Sequence, residues 1–134
     1  MSKSLIQTTN TSQPTLAVNS VIPLGSVLRR FGCNCRLNGT AIEIEGEGYY
    51  AVDLDVTATP TATGDVTVTL FKDGVAIPSA TATVTTGAVS ETVTLPITTT
   101  VRVGCNCFGA SSLTAVLVEG AGVINNVSMR VIKQ

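Results

Sequence analysis

The sequence predicts an all-β fold, an antiparallel β-sandwich, and three observations carry that expectation. Thr, Val and Ile supply 21, 18 and 8 of the 134 residues. Side chains branched at Cβ lose rotamer freedom in a helix and pack well on a pleated sheet. Short apolar stretches recur between turn residues at the spacing of a sandwich or barrel. No segment suggests a helix of useful length.

Taken in order, the first 15 residues, through Gln13-Pro14-Thr15, are polar and without periodicity. They are expected to form a loose N-terminal arm, leaving residues 16–134 as one sandwich domain. Tyr50, Val52, Leu54 and Val56 alternate with Ala51, Asp53, Asp55 and Thr57. That period of two puts the apolar set inward and the carboxylates outward. Pro60 to Gly64 breaks the strand. Val66, Val68 and Leu70 then alternate with Thr67, Thr69 and Phe71. Asp73-Gly74 closes a tight hairpin, because both central positions of that turn need positive φ. A return strand starts at 75–77, with Pro78 limiting its pairing. Further strands are expected at about 80–85, 89–95, 99–103, 113–119 and 123–132.

An internal echo adds to this. Arg30-Phe31-Gly32-Cys33-Asn34-Cys35 recurs as Arg102-Val103-Gly104-Cys105-Asn106-Cys107. Downstream, Thr40-Ala41-Ile42-Glu43-Ile44-Glu45-Gly46-Glu47-Gly48 matches Thr114-Ala115-Val116-Leu117-Val118-Glu119-Gly120-Ala121-Gly122. Two copies are too few for a repeat solenoid. They predict two equivalent hairpins within one sandwich, with the two Gly-Cys-Asn-Cys segments close together.

Composition removes several function classes. Without a histidine, the chain holds no His-based triad, general base or metal site. A net charge of −1 and 4% aromatic residues, none of them Trp, leave no phosphate-neutralising surface and no stacking platform, so no nucleic-acid partner is expected. No apolar run approaches the ~20 residues of a membrane span. The first ten residues lack the apolar core of a secretory signal, so synthesis and retention inside a cell, or release by lysis, are expected. The rows Glu43/Glu45/Glu47 and Asp53/Asp55 could bind Ca²⁺ or act as an acid/base pair. With no nucleophile or glycine-rich nest beside them, they read as solvated strand faces, and no catalytic residue and no cofactor is expected. Three Asn-x-Ser/Thr matches, at Asn10, Asn38 and Asn126, mean only polar turn residues without secretion.

Cys33 and Cys35 point the same way along an extended segment, as do Cys105 and Cys107. Three states fit them. They are small buried apolar residues, or disulfides between the copies, which a reducing cytosol disfavours, or a four-thiolate metal site. For the last, Cys-x-Cys is a less usual spacing than Cys-x₂₋₄-Cys.

The last two strands are apolar on both faces. A strand buried on one face only alternates cleanly, so a second covering surface is expected, most simply another copy of the chain. Leu113, Ala115, Leu117, Val127, Met129 and Val131 are the candidate residues for that oligomer interface.

Gly48-Tyr49-Tyr50-Ala51-Val52-Asp53-Leu54-Asp55-Val56-Thr57, followed by Val66 to Pro78 with its Lys72-Asp73-Gly74 turn, resembles the trimeric jelly rolls of the tumour-necrosis-factor and C1q type. The likeness is strongest to phage virion decoration or head-fibre domains and to the tips of collagen-like spore-surface proteins. It is good over residues 48–78 and architectural elsewhere. Two departures stand out: such tips usually follow a collagen-like or coiled stem where only a short polar lead-in is expected here, and the Cys tetrads lie outside the general pattern. The resemblance implies a homotrimer with one sheet of each subunit near a three-fold axis. It also implies a non-enzymatic virion protein, bound to the shell or another phage structural protein. Such a protein would reach the virion surface after synthesis in the host cytoplasm. A carbohydrate- or receptor-binding module and a Cys₄ metal-site protein are the alternatives.

Overall fold

The computed structural model describes residues 4–32, 35–61, 63–87, 91–103 and 111–133. In chain order the strands are β1 (Leu5–Asn10), β2 (Thr15–Leu16), β3 (Ser20–Val21), β4 (Ser26–Phe31), β5 (Cys35–Asn38) and β6 (Ala41–Ile44). They continue as β7 (Gly48–Pro60), β8 (Gly64–Lys72), β9 (Val75–Thr86), β10 (Val93–Val103), β11 (Ser111–Glu119) and β12 (Gly122–Lys133). The first sheet has the order β10-β7-β12-β1-β4, with β2 beside β12. The second has the order β5-β6-β11-β8-β9, with β3 beside β11. All pairings are antiparallel.

The core lies between the sheets and follows the period of two. Tyr50, Val52, Leu54 and Val56 of β7, with Leu95, Ile97 and Val101 of β10, are buried from one side. Ile42, Ile44, Val66, Val68, Leu70, Leu113 and Leu117 are buried from the other. Each such aliphatic side chain contributes about 1.5–3 kcal/mol when withdrawn from water. The hairpin between β8 and β9 forms as expected: Lys72 pairs with Val75, and Asp73 and Gly74 have φ of 52° and 81°.

Three expectations are corrected. Residues 5–10 are a strand and not an arm, so the sandwich takes in residues ahead of the expected 16–134 span. β1 sits inside the first sheet between β12 and β4, with Ser4, Ile6, Thr8 and Asn10 buried. Three of those four inward residues, Ser4, Thr8 and Asn10, are polar, which hides the periodicity. Asn10 is satisfied locally: its Nδ2 donates to the Pro23 carbonyl at 2.9 Å, and its Oδ1 accepts from Ser12 N and Oγ. Second, the chain does not break at Pro96, where β10 runs unbroken through the position opposite Asp55. A proline is tolerated there because β10 is an edge strand with only one ladder partner. Third, β9 continues through residue 78, at a register shift and again on an edge.

The internal echo corresponds to a repeated crossing and not to the two equivalent hairpins expected: among the described residues the first copy has the hairpin β5–β6 where the second has β11 alone. β4 ends in the first sheet, β5 and β6 lie in the second, and Gly46 and Gly48 lead back to β7 in the first. Likewise β10 ends in the first sheet, β11 lies in the second, and Gly120 and Gly122 lead back to β12, the neighbour of β7. At Gly122 a Cβ would collide with Thr59 O and stand 2.6 Å from Pro60 Cα, so only glycine fits.

Tyr50 ties the first return crossing to the core. Its hydroxyl donates to the Gly46 carbonyl at 2.9 Å, with the Glu45 carbonyl at 3.2 Å sharing the proton. Thr8 Oγ1, by contrast, is buried without a partner. Tyr50→Phe is therefore expected to cost about 1 kcal/mol, the worth of an ordinary hydrogen bond. Thr8→Val, which keeps the shape and removes the lone hydroxyl, should leave stability unchanged or raise it. Urea unfolding midpoints check both.

Candidate interaction face

Directly opposed residues in an antiparallel ladder share a face, so the register assembles the outward surface of the first sheet row by row. One row runs Phe31–Leu5–Ile132–Ala51 across β4, β1, β12 and β7. Tyr49, two residues before Ala51 and so on the same face, extends it toward Arg102 of β10. Phe31 is 65% and Tyr49 56% exposed, while Leu5, Ala51 and Ile132 are half-buried. The row is thus an unbroken apolar band across four strands.

The next row is polar: Arg29–Gln7–Arg130–Asp53–Thr98. At its centre Arg130 donates to Asp53 at 2.6 Å. Both side chains are substantially open to water, so the pair adds at most about 1 kcal/mol. A shallow hollow of about 320 Å³ lies over this row, lined by Gln7, Asp53, Asp55, Ile97, Thr98, Ser128 and Arg130. Beyond it the face carries Ser128, Asp55 and Pro96.

The outward surface of the second sheet differs. Arg36 holds Glu43 at 2.7 Å and Glu45 at 3.1 Å. Hydroxyl pairs link Thr67 to Thr83 and Thr69 to Thr81, and Thr85 donates to Asp65 at 2.6 Å. Its apolar members, Val116 beside Val21 and Phe71 beside Ala76, are separated by these threonines. The band on the first sheet is the more continuous apolar surface.

All six residues expected at an oligomer interface lie elsewhere. Leu113, Ala115, Leu117, Val127, Met129 and Val131 are fully buried inside one subunit, at 0% exposure, and cannot reach another. Both strands are expected to be apolar on both faces; β11 does turn Val116 and Val118 outward, but the outward face of β12 carries Ser128 and Arg130, and these six residues fill the inward faces. A register shift near Asn125 also changes the phase of β12. Ile124, not Val123, therefore shares the inward face of Val127, and Ile132 faces out. Sequence reasoning missed Leu5, Phe31, Tyr49, Ala51 and Ile132 because only the register brings them together.

The carboxylate rows are engaged as surface groups. Asp53 pairs with Arg130 and Glu43 with Arg36. Hydrogen bonds from Arg36 and then Asn38 hold the Glu43 carboxyl below its usual range.

Of the four cysteines, Cys33, Cys105 and Cys107 lie outside the described residues, as does the expected meeting of the two tetrads. Cys35 is buried, and its carbonyl accepts from Arg30 Nε at 3.0 Å. It pairs with Ile44, which on its other side pairs with Ser111. Burial pushes the Cys35 thiol up to about 11, against a smaller opposing pull from Arg30 and Lys133. At neutral pH it stays protonated, a weak nucleophile and a poor metal ligand as it stands.

With this geometry in place, known proteins can be compared. No protein-family model matches the chain, and no curated protein matches it in sequence. Murine APRIL superposes with a TM-score of 0.76 over 99% of this chain and 100% of its own, at 10% identity. The globular domain of zebrafish complement 1qA gives 0.70 over 94% of each chain, at 6% identity. The vertex protein P5 of PRD1 gives 0.64 over 97% of this chain and 96% of its own, at 11% identity. The fold is the jelly roll of the tumour-necrosis-factor and C1q type. Within that jelly roll, the apolar band occupies the outward face of the sheet that holds both termini of the described chain.

The Cys35 environment gives a pH test. The folded state holds the thiol proton to about pH 11, against an ordinary value of 9.0. Stability from this group is full below pH 9 and is lost as pH rises toward 11, on the order of 2–3 kcal/mol. Cys35→Ala should flatten that alkaline loss in urea titrations across the interval.

Proposed function

We propose that the chain is a non-enzymatic structural protein of a phage virion, of the capsid-decoration or head-fibre type, assembling as a homotrimer. The observation that carries this is the apolar band Phe31–Leu5–Ile132–Ala51 with Tyr49, continuous across four strands of one sheet face. Covering an exposed ring such as Phe31 contributes up to about 1.5–3 kcal/mol and the half-buried members less, and a self-complementary closed assembly is the usual way to cover them.

Two further facts support the reading. The fold is shared with a virion protein, the PRD1 vertex protein P5. Among the described residues the most exposed aromatic side chains, Phe31 and Tyr49, belong to strands, at their ends, and not to loops. That favours assembly over a loop-borne carbohydrate site, which would need aromatic rings on those loops. In this reading the protein acts by shape. It is made in the host cytoplasm, the band seals the seam between subunits, and the remaining surface meets the shell.

Size-exclusion chromatography with light scattering tests the assembly. The wild-type chain should elute as a trimer. Phe31→Glu with Ile132→Glu should give a folded monomer, because both substitutions add charge to the band and neither touches the core. Leu117→Ala should instead cost about 2–5 kcal/mol of subunit stability through its cavity. A wild-type chain that is monomeric at micromolar concentration would overturn the assembly, and absence from purified virions by proteomics would overturn the virion role.

A further inference from the structure

The hairpin between β5 and β6 is closed by Gly39 and Thr40, with Asn38 paired to Ala41 and Gly39 at φ +61°. Asn38 is exposed and is the last residue of a four-residue strand at the edge of the second sheet. Its Nδ2 donates to Glu43 Oε2 at 3.2 Å. The same Glu43 accepts from Arg36, whose guanidinium also reaches Glu45. One cation therefore serves two carboxylates, and the Asn38 amide supplies the extra donor.

We propose that Asn38 is a self-modification site, converting spontaneously to aspartate and isoaspartate and so switching the charge of this hairpin. The Gly39 backbone nitrogen attacks Asn38 Cγ; the new N–Cγ bond forms as Cγ–Nδ2 breaks. Ammonia leaves carrying the Gly39 amide proton, and a five-membered succinimide remains. Water then opens the ring at either carbonyl. Cleavage at Cγ gives aspartate, and cleavage at the main-chain carbonyl gives isoaspartate with one more methylene in the backbone. Amide and water become acid and ammonia, with no change of oxidation state.

Local structure selects this position. Glycine after the asparagine leaves the attacking nitrogen unhindered, and nothing outside the adjoining chain lies within 4 Å of where a Gly39 Cβ would stand. Short edge hairpins open locally more readily than core strands. Every other asparagine of the sequence is followed by a residue carrying a Cβ. Asp73-Gly74, capable of the same ring closure in principle, is clamped. Its carboxylate accepts from Ser112 N at 2.9 Å, and its own N–H donates to Ser112 O at 2.8 Å. Conversion at residue 38 removes the donor to Glu43 and sets a third carboxylate beside Glu43 and Glu45. Residues 38 and 43 lie diagonally across the β5–β6 ladder, within reach for like charges to destabilise the hairpin.

The test is peptide mapping by mass spectrometry, with an isoaspartate methylation assay, after incubating the full chain at 37 °C in mildly alkaline buffer. Residue 38 should convert before every other asparagine, and Gly39→Ala should slow it several-fold. Earlier conversion elsewhere, or conversion at 38 only in urea-unfolded protein, overturns the proposal. The charge mimic Asn38→Asp should lower the Tm at neutral pH, and adding Glu43→Gln should restore it. An unchanged Tm for Asn38→Asp overturns the switch.

Discussion

Everything in this subunit depends on the alternation of side chains across two stacked sheets. Each strand sends every second residue into a shared apolar layer and the others to one outer surface. A single extra residue in a strand exchanges those destinations for all that follow. The shift near Asn125 does this within β12. It keeps Val127, Met129 and Val131 in the layer with Ile124, and it turns Ile132 out beside Leu5. The exposed band is therefore a consequence of strand phase as much as of composition.

The strands whose inward residues are all apolar were legible in the sequence. β7 and β8 alternate without exception over their central residues, and the Asp-Gly turn between β8 and β9 is dictated by two positive φ angles. The echo was legible only as a repeated crossing between sheets: its copies differ in phase, so Ile42 and Ile44 face the core where the matching Val116 and Val118 face out. β1 was not legible: Thr8 and Asn10 face inward, and Asn10 is made tolerable only by Pro23 and Ser12 from the following loop. The prolines misled for a different reason: on an edge strand a missing N–H costs no ladder bond where the nitrogen faces away from the one partner strand or sits at a bulge.

The candidate site was less legible than the fold, and the cause is physical. β11 turns Val116 and Val118 outward and Leu113 and Leu117 inward, so hydrophobicity alone carries no label for inside and outside there. Leu5, Phe31, Ala51 and Ile132 come from four segments spread over almost the whole chain. Each alone is an unremarkable apolar residue; neighbourhood makes them a surface. The second sheet shows the contrary arrangement, in which hydroxyl pairs and the Arg36 cluster satisfy the outward polar groups among themselves.

The lateral margins of the sandwich bear on how copies can combine. β9 lies alongside β10 at one margin, and β4 alongside β5 at the other, where the Arg30 guanidinium occupies the Cys35 carbonyl. The Cys35 carbonyl, a backbone acceptor on an edge strand that could template another chain, is thereby engaged within the subunit. An edge so occupied resists strand addition at that point.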